Sequence, residues 1–126
     1  MRVHIQEVLV LAEYTVRTFS VTKDDSKDER IVQQYHYTIW PDHGVPEYPT
    51  SLLHFVRKVM VTNPAGSGPI VVHCSAGVGR TGTFITLFNQ LRRIDRERNV
   101  NVFNFVRSMR RSRCCMVQTE VSDTIF

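Results

Sequence analysis

The chain has 126 residues, 42% of them apolar and 22% charged, with a formal net charge of +4. Such a length holds one small domain or a piece of a larger one, and such an apolar content excludes an intrinsically disordered chain. No apolar run approaches the roughly 20 residues of a membrane-spanning helix, no secretory signal pattern precedes Val10, and three cysteines without metal-ligand spacing point to a reducing compartment, so the chain is expected in the cytosol or facing it.

Taken in order, Val3–Leu11 is mostly β-branched and aliphatic and predicts a strand. Tyr14–Val21 and Ile31–Ile39 predict two more. The last of these alternates, with Ile31, Tyr35, Tyr37 and Ile39 on one face and Gln34, His36 and Thr38 on the other. Between them Thr22–Arg30 is almost wholly charged and reads as an exposed hairpin connection. Trp40–Pro46 follows, a loop with prolines at its ends and Gly44 near its middle, the composition of a lid. Pro49 opens a helix with apolar positions Leu52, Leu53, Phe55, Val56, Val59 and Met60. Asn63–Pro69 is a loop, and Ile70–His73 predicts a central buried strand. A second helix, Arg80–Arg93, places Phe84, Leu87, Phe88 and Leu91 at core spacing. Asn101 is suited to cap a third, short helix that buries Val102, Phe105, Val106 and Met109. Arginines crowd at Arg92, Arg93, Arg96 and Arg98, and again at Arg107, Arg110, Arg111 and Arg113. Asp95 and Glu97 interrupt the first group and no aromatic residues alternate with either, so both read as solvated helix faces rather than as a nucleic-acid surface.

The chemistry concentrates between the predicted strand and the second helix, in His73-Cys74-Ser75-Ala76-Gly77-Val78-Gly79-Arg80-Thr81-Gly82. Two glycines let the backbone curl so that successive N–H groups converge on one centre. That centre faces a helix N-terminus with its unpaired amide donors. Arg80 adds a bidentate fork that matches phosphate geometry. The same donors and charge stabilise a thiolate, which lowers a cysteine pKa from ~8.5 towards ~3.5–7.5. Cys74 is therefore a candidate nucleophile seated under a candidate phosphate cradle. Thr81 can offer its hydroxyl to the sulfur, and His73 can orient the loop backbone. Cys114 and Cys115 lack such a nest and read as structural, or at most as oxidisable by chance.

These residues carry a resemblance. His73–Gly82 is similar to the signature of the tyrosine-specific protein phosphatases, a Cys followed by five residues, Arg and Ser/Thr. Trp40-Pro41-Asp42-His43-Gly44-Val45-Pro46 resembles that family's acid loop, and Met116-Val117-Gln118-Thr119-Glu120 resembles its glutamine loop. The surrounding wording is most similar to the membrane-proximal catalytic domains of receptor-type members, from about Val10 to Glu120. The resemblance implies an α/β fold, part of a twisted mixed sheet flanked by helices, with residues 1–126 forming the C-terminal portion of such a domain. It implies hydrolysis of phosphotyrosine in proteins through a phosphocysteine intermediate. Cys74 would attack phosphorus, and Asp42 would protonate the leaving oxygen and then serve as base. Ser75, Ala76, Gly77, Val78, Gly79 and Arg80 would hold the phosphoryl group, and Gln118 would bind substrate and align the hydrolytic water. No cofactor and no metal are implied, since protein donors supply the positive field. The partners implied are phosphotyrosine proteins, with no nucleic acid, and with a membrane only through a parent receptor.

Two departures from the family pattern bear on activity. The glutamine loop usually carries a second Gln four residues after the first, and here that position is Ser122, which implies slower or leakier breakdown of the intermediate. Roughly the first half of a family domain, including its phosphotyrosine-recognition loop, has no counterpart here. A marginal fold with exposed apolar surface is expected. The alternative function is a catalytically weak or inactive phosphotyrosine-binding fragment or pseudophosphatase.

Overall fold

The computed structural model describes residues 1–41, 44–63 and 66–118. Asp42, His43 and Ser122, and with them the acid of the acid loop and the departure in the glutamine loop, lie outside the described residues. Three strands are followed by three helices: β1 (Arg2–Val10), β2 (Tyr14–Thr22), β3 (Glu29–Tyr37), α1 (Pro49–Thr62), α2 (Gly79–Glu97) and α3 (Val102–Ser112). The chain divides into two compact units, Met1–Trp40 and Pro41–Phe126.

The first unit is an antiparallel sheet in the order β1-β2-β3. Tyr14 pairs with Tyr37 and Thr22 with Glu29, so the charged connection is a hairpin turn as expected. Between β1 and β2 the register slips once, between Ile5 and Glu7. The slip has a reason in the sequence. Val3 and Ile5 are an even step apart, as are Val8 and Val10, but Ile5 and Val8 are separated by an odd one. In a regular strand the two pairs would face opposite sides of the sheet. The extra residue lets Ile5 pair with Phe19 and Val8 with Arg17, two positions on one face of β2. All four aliphatic side chains thus share a face, and all four are exposed. On β3, Ile31 and Tyr35 pair with Ser20 and Val16, whereas Gln34 and His36 pair with Arg17 and Thr15, which reproduces the expected alternation.

The second unit holds the buried apolar side chains of the described residues: Leu52, Phe55, Val56 and Val59 of α1, Leu87 of α2, and Met116 and Val117. The α1 set recurs at three- and four-residue steps, one stripe of an amphipathic helix. Phe55 meets Phe84 edge-on with ring centroids 6.0 Å apart, and Phe84 in turn meets Phe88 at 6.0 Å. Pro49 stands in the first turn of α1, where a missing N–H costs nothing. Arg57 and Asp95 pair at 2.7 Å across α1 and α2. Thr83 and Thr86 are fully buried on α2, and their hydroxyls donate to Gly79 O and Gly82 O one turn back. Asn101 caps α3 by accepting from Asn104 N at 3.2 Å, and its own amide donates to Gln90 Oε1 at 2.7 Å, which ties α3 to α2.

The chain combines a three-stranded antiparallel sheet with three helices, an α/β fold as expected. Two sequence expectations are corrected: α3 buries none of Val102, Phe105, Val106 and Met109, and the expected strand Ile70–His73 does not form. Ile70–His73 lies outside that sheet and forms no strand, with Val71 83% exposed. Strand propensity is expressed only against a ladder partner, and β1, β2 and β3 pair only among themselves. Conversely α2 runs past Arg93 to Glu97, supported by an Arg93–Glu97 pair at 3.0 Å and ended by Arg98 in the left-handed conformation. Cys114 and Cys115, expected to be structural, are both exposed.

The core assignment has a direct test. Leu52 is 2% exposed, whereas Phe103 on α3 is 75% exposed. Leu52→Ala should lower the unfolding free energy in urea by about 2–5 kcal/mol, whereas Phe103→Ser should change it by less than about 0.5 kcal/mol.

Candidate active site

The site is built on the segment from Cys74 to the first turn of α2. Gly77 takes φ 69°, a conformation that a residue with a Cβ adopts only with strain. That turn aims the amides of Gly77, Val78 and Thr81 at the Cys74 sulfur. The Thr81 hydroxyl donates to Sγ at 3.2 Å. Partial burial by itself would push the thiol up. The Thr81 hydroxyl and the three amides together outweigh burial and hold Cys74 below the ordinary cysteine value. The sulfur therefore sits in a nest of donors at a helix N-terminus, as the glycine spacing implied.

Arg80 is exposed, and its Nη2 donates to Pro41 O at 3.0 Å. Arg80 thus holds the backbone at Pro41, one residue before the expected acid Asp42. Ser75 and Ala76 are exposed along the loop, and His73 is exposed at its start.

Gln118 is brought to the same place from the other end of the unit. Its Oε1 lies 3.5 Å from where a Cβ on Gly79 would stand. The segment leading to it is docked on the cysteine loop, with Val117 N donating to Val78 O at 3.2 Å. It adopts a conformation that is costly for its residues. Cys115 has φ 60°, and Val117, a β-branched residue, has φ 58°. Arg110 holds it there, donating from Nε to Met116 O at 2.8 Å and from Nη2 to Val117 O at 2.6 Å. Arg113 Nη2 donates to Ala76 O at 3.0 Å in the cysteine loop itself. The sequence reading placed both arginines on a solvated face and missed these contacts. Both stand between the apolar stripe of α3 and Gln118, but nothing in the sequence marks the carbonyls they reach.

Of the expected site residues, the structure gathers Cys74, Gly77, Val78, Gly79, Thr81 and Gln118 around the head of α2. A thiol held low among amide donors at the head of α2, with the Gln118 carboxamide near Gly79, is the geometry these residues make. The family model described as protein-tyrosine phosphatase matches residues 1–122. The chain is 52% identical over 120 residues to receptor-type tyrosine-protein phosphatase S of Gallus gallus, a match covering 95% of this chain and 8% of that protein. It is 49% identical over 120 residues to receptor-type tyrosine-protein phosphatase F of Homo sapiens, covering 95% and 6%. Against tyrosine-protein phosphatase 99A of Drosophila melanogaster it is 49% identical over 126 residues, covering 95% and 10%. This chain belongs to the protein-tyrosine phosphatase family. It spans a tenth or less of the length of these relatives.

Two measurements check the site. Alkylation of Cys74 by iodoacetamide should rise with pH through a midpoint below the ~8.5 of a free cysteine, because the folded donors favour the thiolate; Thr81→Val removes one donor and should move that midpoint up. A Cβ at Gly82 would come within 2.4 Å of Val117 N. Gly82→Ala should therefore push the Gln118 segment off the loop, with a loss of about 1–3 kcal/mol in unfolding free energy.

Proposed function

We propose that this chain acts as a protein-tyrosine phosphatase that passes through a phosphocysteine intermediate. The observation that carries the reading is the Cys74 sulfur receiving the Thr81 hydroxyl and three loop amides at the head of α2. In the first step the Cys74 thiolate attacks phosphorus, an S–P bond forms and the bond from phosphorus to the tyrosine oxygen breaks. Asp42 delivers a proton to the departing phenolate. The amides and Arg80 stabilise charge on the equatorial oxygens. In the second step Asp42, now a carboxylate, takes a proton from a water aligned by Gln118. That water attacks phosphorus opposite sulfur and releases inorganic phosphate and the thiolate, which the Thr81 hydroxyl and the loop amides stabilise as it leaves. Covalent attack by Cys74, proton transfer by Asp42 and the fixed dipoles of the loop share the catalysis.

Residues 1–126 are read as the C-terminal portion of a catalytic domain, with phosphotyrosine proteins as substrates and a place on the cytoplasmic side of a receptor. The receptor-type names belong to the relatives, and their extension to this chain is part of the proposal. A thiolate nucleophile also implies inhibition by peroxide and by vanadate.

The purified chain should hydrolyse a phosphotyrosine peptide, and Cys74→Ser should abolish turnover while leaving peptide binding largely intact. Asp42→Ala should lower kcat much more than it alters KM, and the loss should shrink for aryl phosphates with strongly acidic leaving groups. Binding of the peptide by the parent chain without turnover would assign the alternative role, a phosphotyrosine-binding module.

A further inference from the structure

Arg113 and the peptide unit joining Ala76 to Gly77 form an arrangement that the reaction scheme leaves unused. The guanidinium Nη2 donates to Ala76 O at 3.0 Å. The same group lies against Gly77, where a Cβ would stand 3.1 Å from Nη2. The peptide is trans, as are all the described ones, so its carbonyl and its N–H point in opposite directions. The N–H at the far end of this unit is the Gly77 amide, one of the three aimed at the Cys74 sulfur. Arg113 therefore grips the outer end of a plate whose inner end faces the nucleophile.

The grip acts in two ways. It fixes rotation of a peptide flanked by Gly77, the residue with the loosest backbone in the loop, so the inner N–H stays on Sγ. It also places a full positive charge on the carbonyl, which polarises the amide and strengthens its N–H as a donor. We propose that Arg113 is a positioning residue for the nucleophile, acting through the Ala76–Gly77 peptide to hold Cys74 as a thiolate. The proposal rests on the reading of Cys74 as the reactive thiolate. It assigns a separate task to Arg110, whose two hydrogen bonds end on Met116 O and Val117 O in the Gln118 segment. Two arginines three residues apart at the end of α3 thus serve the two halves of the site. The charged or titratable side chains of this region are His73 in the loop, Arg80 in α2, which donates to Pro41 O, and Arg113 after α3, which donates to Ala76 O. The only one of these hydrogen-bonded to the peptide that ends in the Gly77 amide is Arg113, among the described residues.

The test follows alkylation of Cys74 by iodoacetamide as a function of pH in the full chain, quantified on the Cys74 peptide by mass spectrometry so that Cys114 and Cys115 do not contribute. Arg113→Ala should raise the midpoint by about one pH unit, and Arg113→Lys, which keeps a cation and a donor, should restore most of the shift. Vanadate binding should weaken in parallel. Thermal unfolding of each variant separates this from a structural role, which would lower the unfolding temperature and leave the midpoint where it was. An unchanged midpoint in folded Arg113→Ala overturns the proposal. Should that variant fail to fold, Arg113→Gln, which retains a donor without charge, decides on the same reading: a raised midpoint supports the proposal and an unchanged one ends it. A parent chain whose own midpoint lies at that of a free cysteine removes the reading of Cys74 and this inference together. A low parent midpoint that Arg113 does not influence removes the inference alone.

Discussion

One carbonyl oxygen holds the second unit together at its functional end. Val78 O accepts from Gly82 N at 2.9 Å, which starts the α2 hydrogen-bond ladder, and from Val117 N at 3.2 Å, which fastens the segment carrying Gln118. The end of the cysteine loop, the beginning of a helix and the arrival of a distant segment meet at one acceptor. The meeting requires Gly82, since a side chain there would strike the Val117 amide. The fully buried Val117 side chain anchors the same point from the core side. The positive φ of Val117 is the conformational cost of this convergence, offset by three hydrogen bonds: the one to Val78 O and the two from Arg110.

The arginines divide by what they touch, not by where they cluster in the sequence. Arg92 stands over the Phe88 ring at 5.9 Å. Arg93 reaches Asn99 at 2.6 Å and Glu97 at 3.0 Å, and so supports the end of α2. Arg57 bridges to Asp95 across the helix pair, and hydrogen bonding from its guanidinium holds the Asp95 carboxyl below its usual range. Arg110 and Arg113 instead spend their forks on backbone carbonyls. A guanidinium satisfies several acceptors in one plane, which suits it to pin loops whose carbonyls turn outward while their amides face a site. A net positive charge is therefore compatible with a chain whose arginines serve internal geometry.

The first unit shows a different economy. Its bulge after Ile5 gathers Val3, Ile5, Val8 and Val10 on one face, and these side chains remain exposed. Thr15 and Ser20 on β2 are the buried polar residues of this unit. A three-stranded sheet holds its register through backbone ladders and cross-strand pairs such as Arg17 with Gln34 at 3.0 Å. It does so without a buried aliphatic cluster among the described residues.

The sequence alone determined what depends on neighbours in the chain. The three helices, the hairpin, Pro49 at a helix start and Asn101 as a cap follow from periodicity and from the hydrogen-bonding habits of single residues. So does the nest at Cys74, because glycines, arginine and threonine stand within eight residues of the sulfur and their spacing suffices to aim them. The family was legible for the same reason, in three short motifs. Tertiary structure decided what depends on partners far along the chain. Ile70–His73 has strand propensity but no ladder to join, so it forms no strand. The bulge after Ile5 is settled by pairing with β2, and the parity of the aliphatic positions hints at it only once the partner is known. The end of α2 is a local matter all the same, set by the i,i+4 Arg93–Glu97 pair and the left-handed Arg98. Arg110 and Arg113 read as solvated because nothing local distinguishes a guanidinium in water from one on a carbonyl; Ala76 lies 37 residues from Arg113, and only folding makes them neighbours.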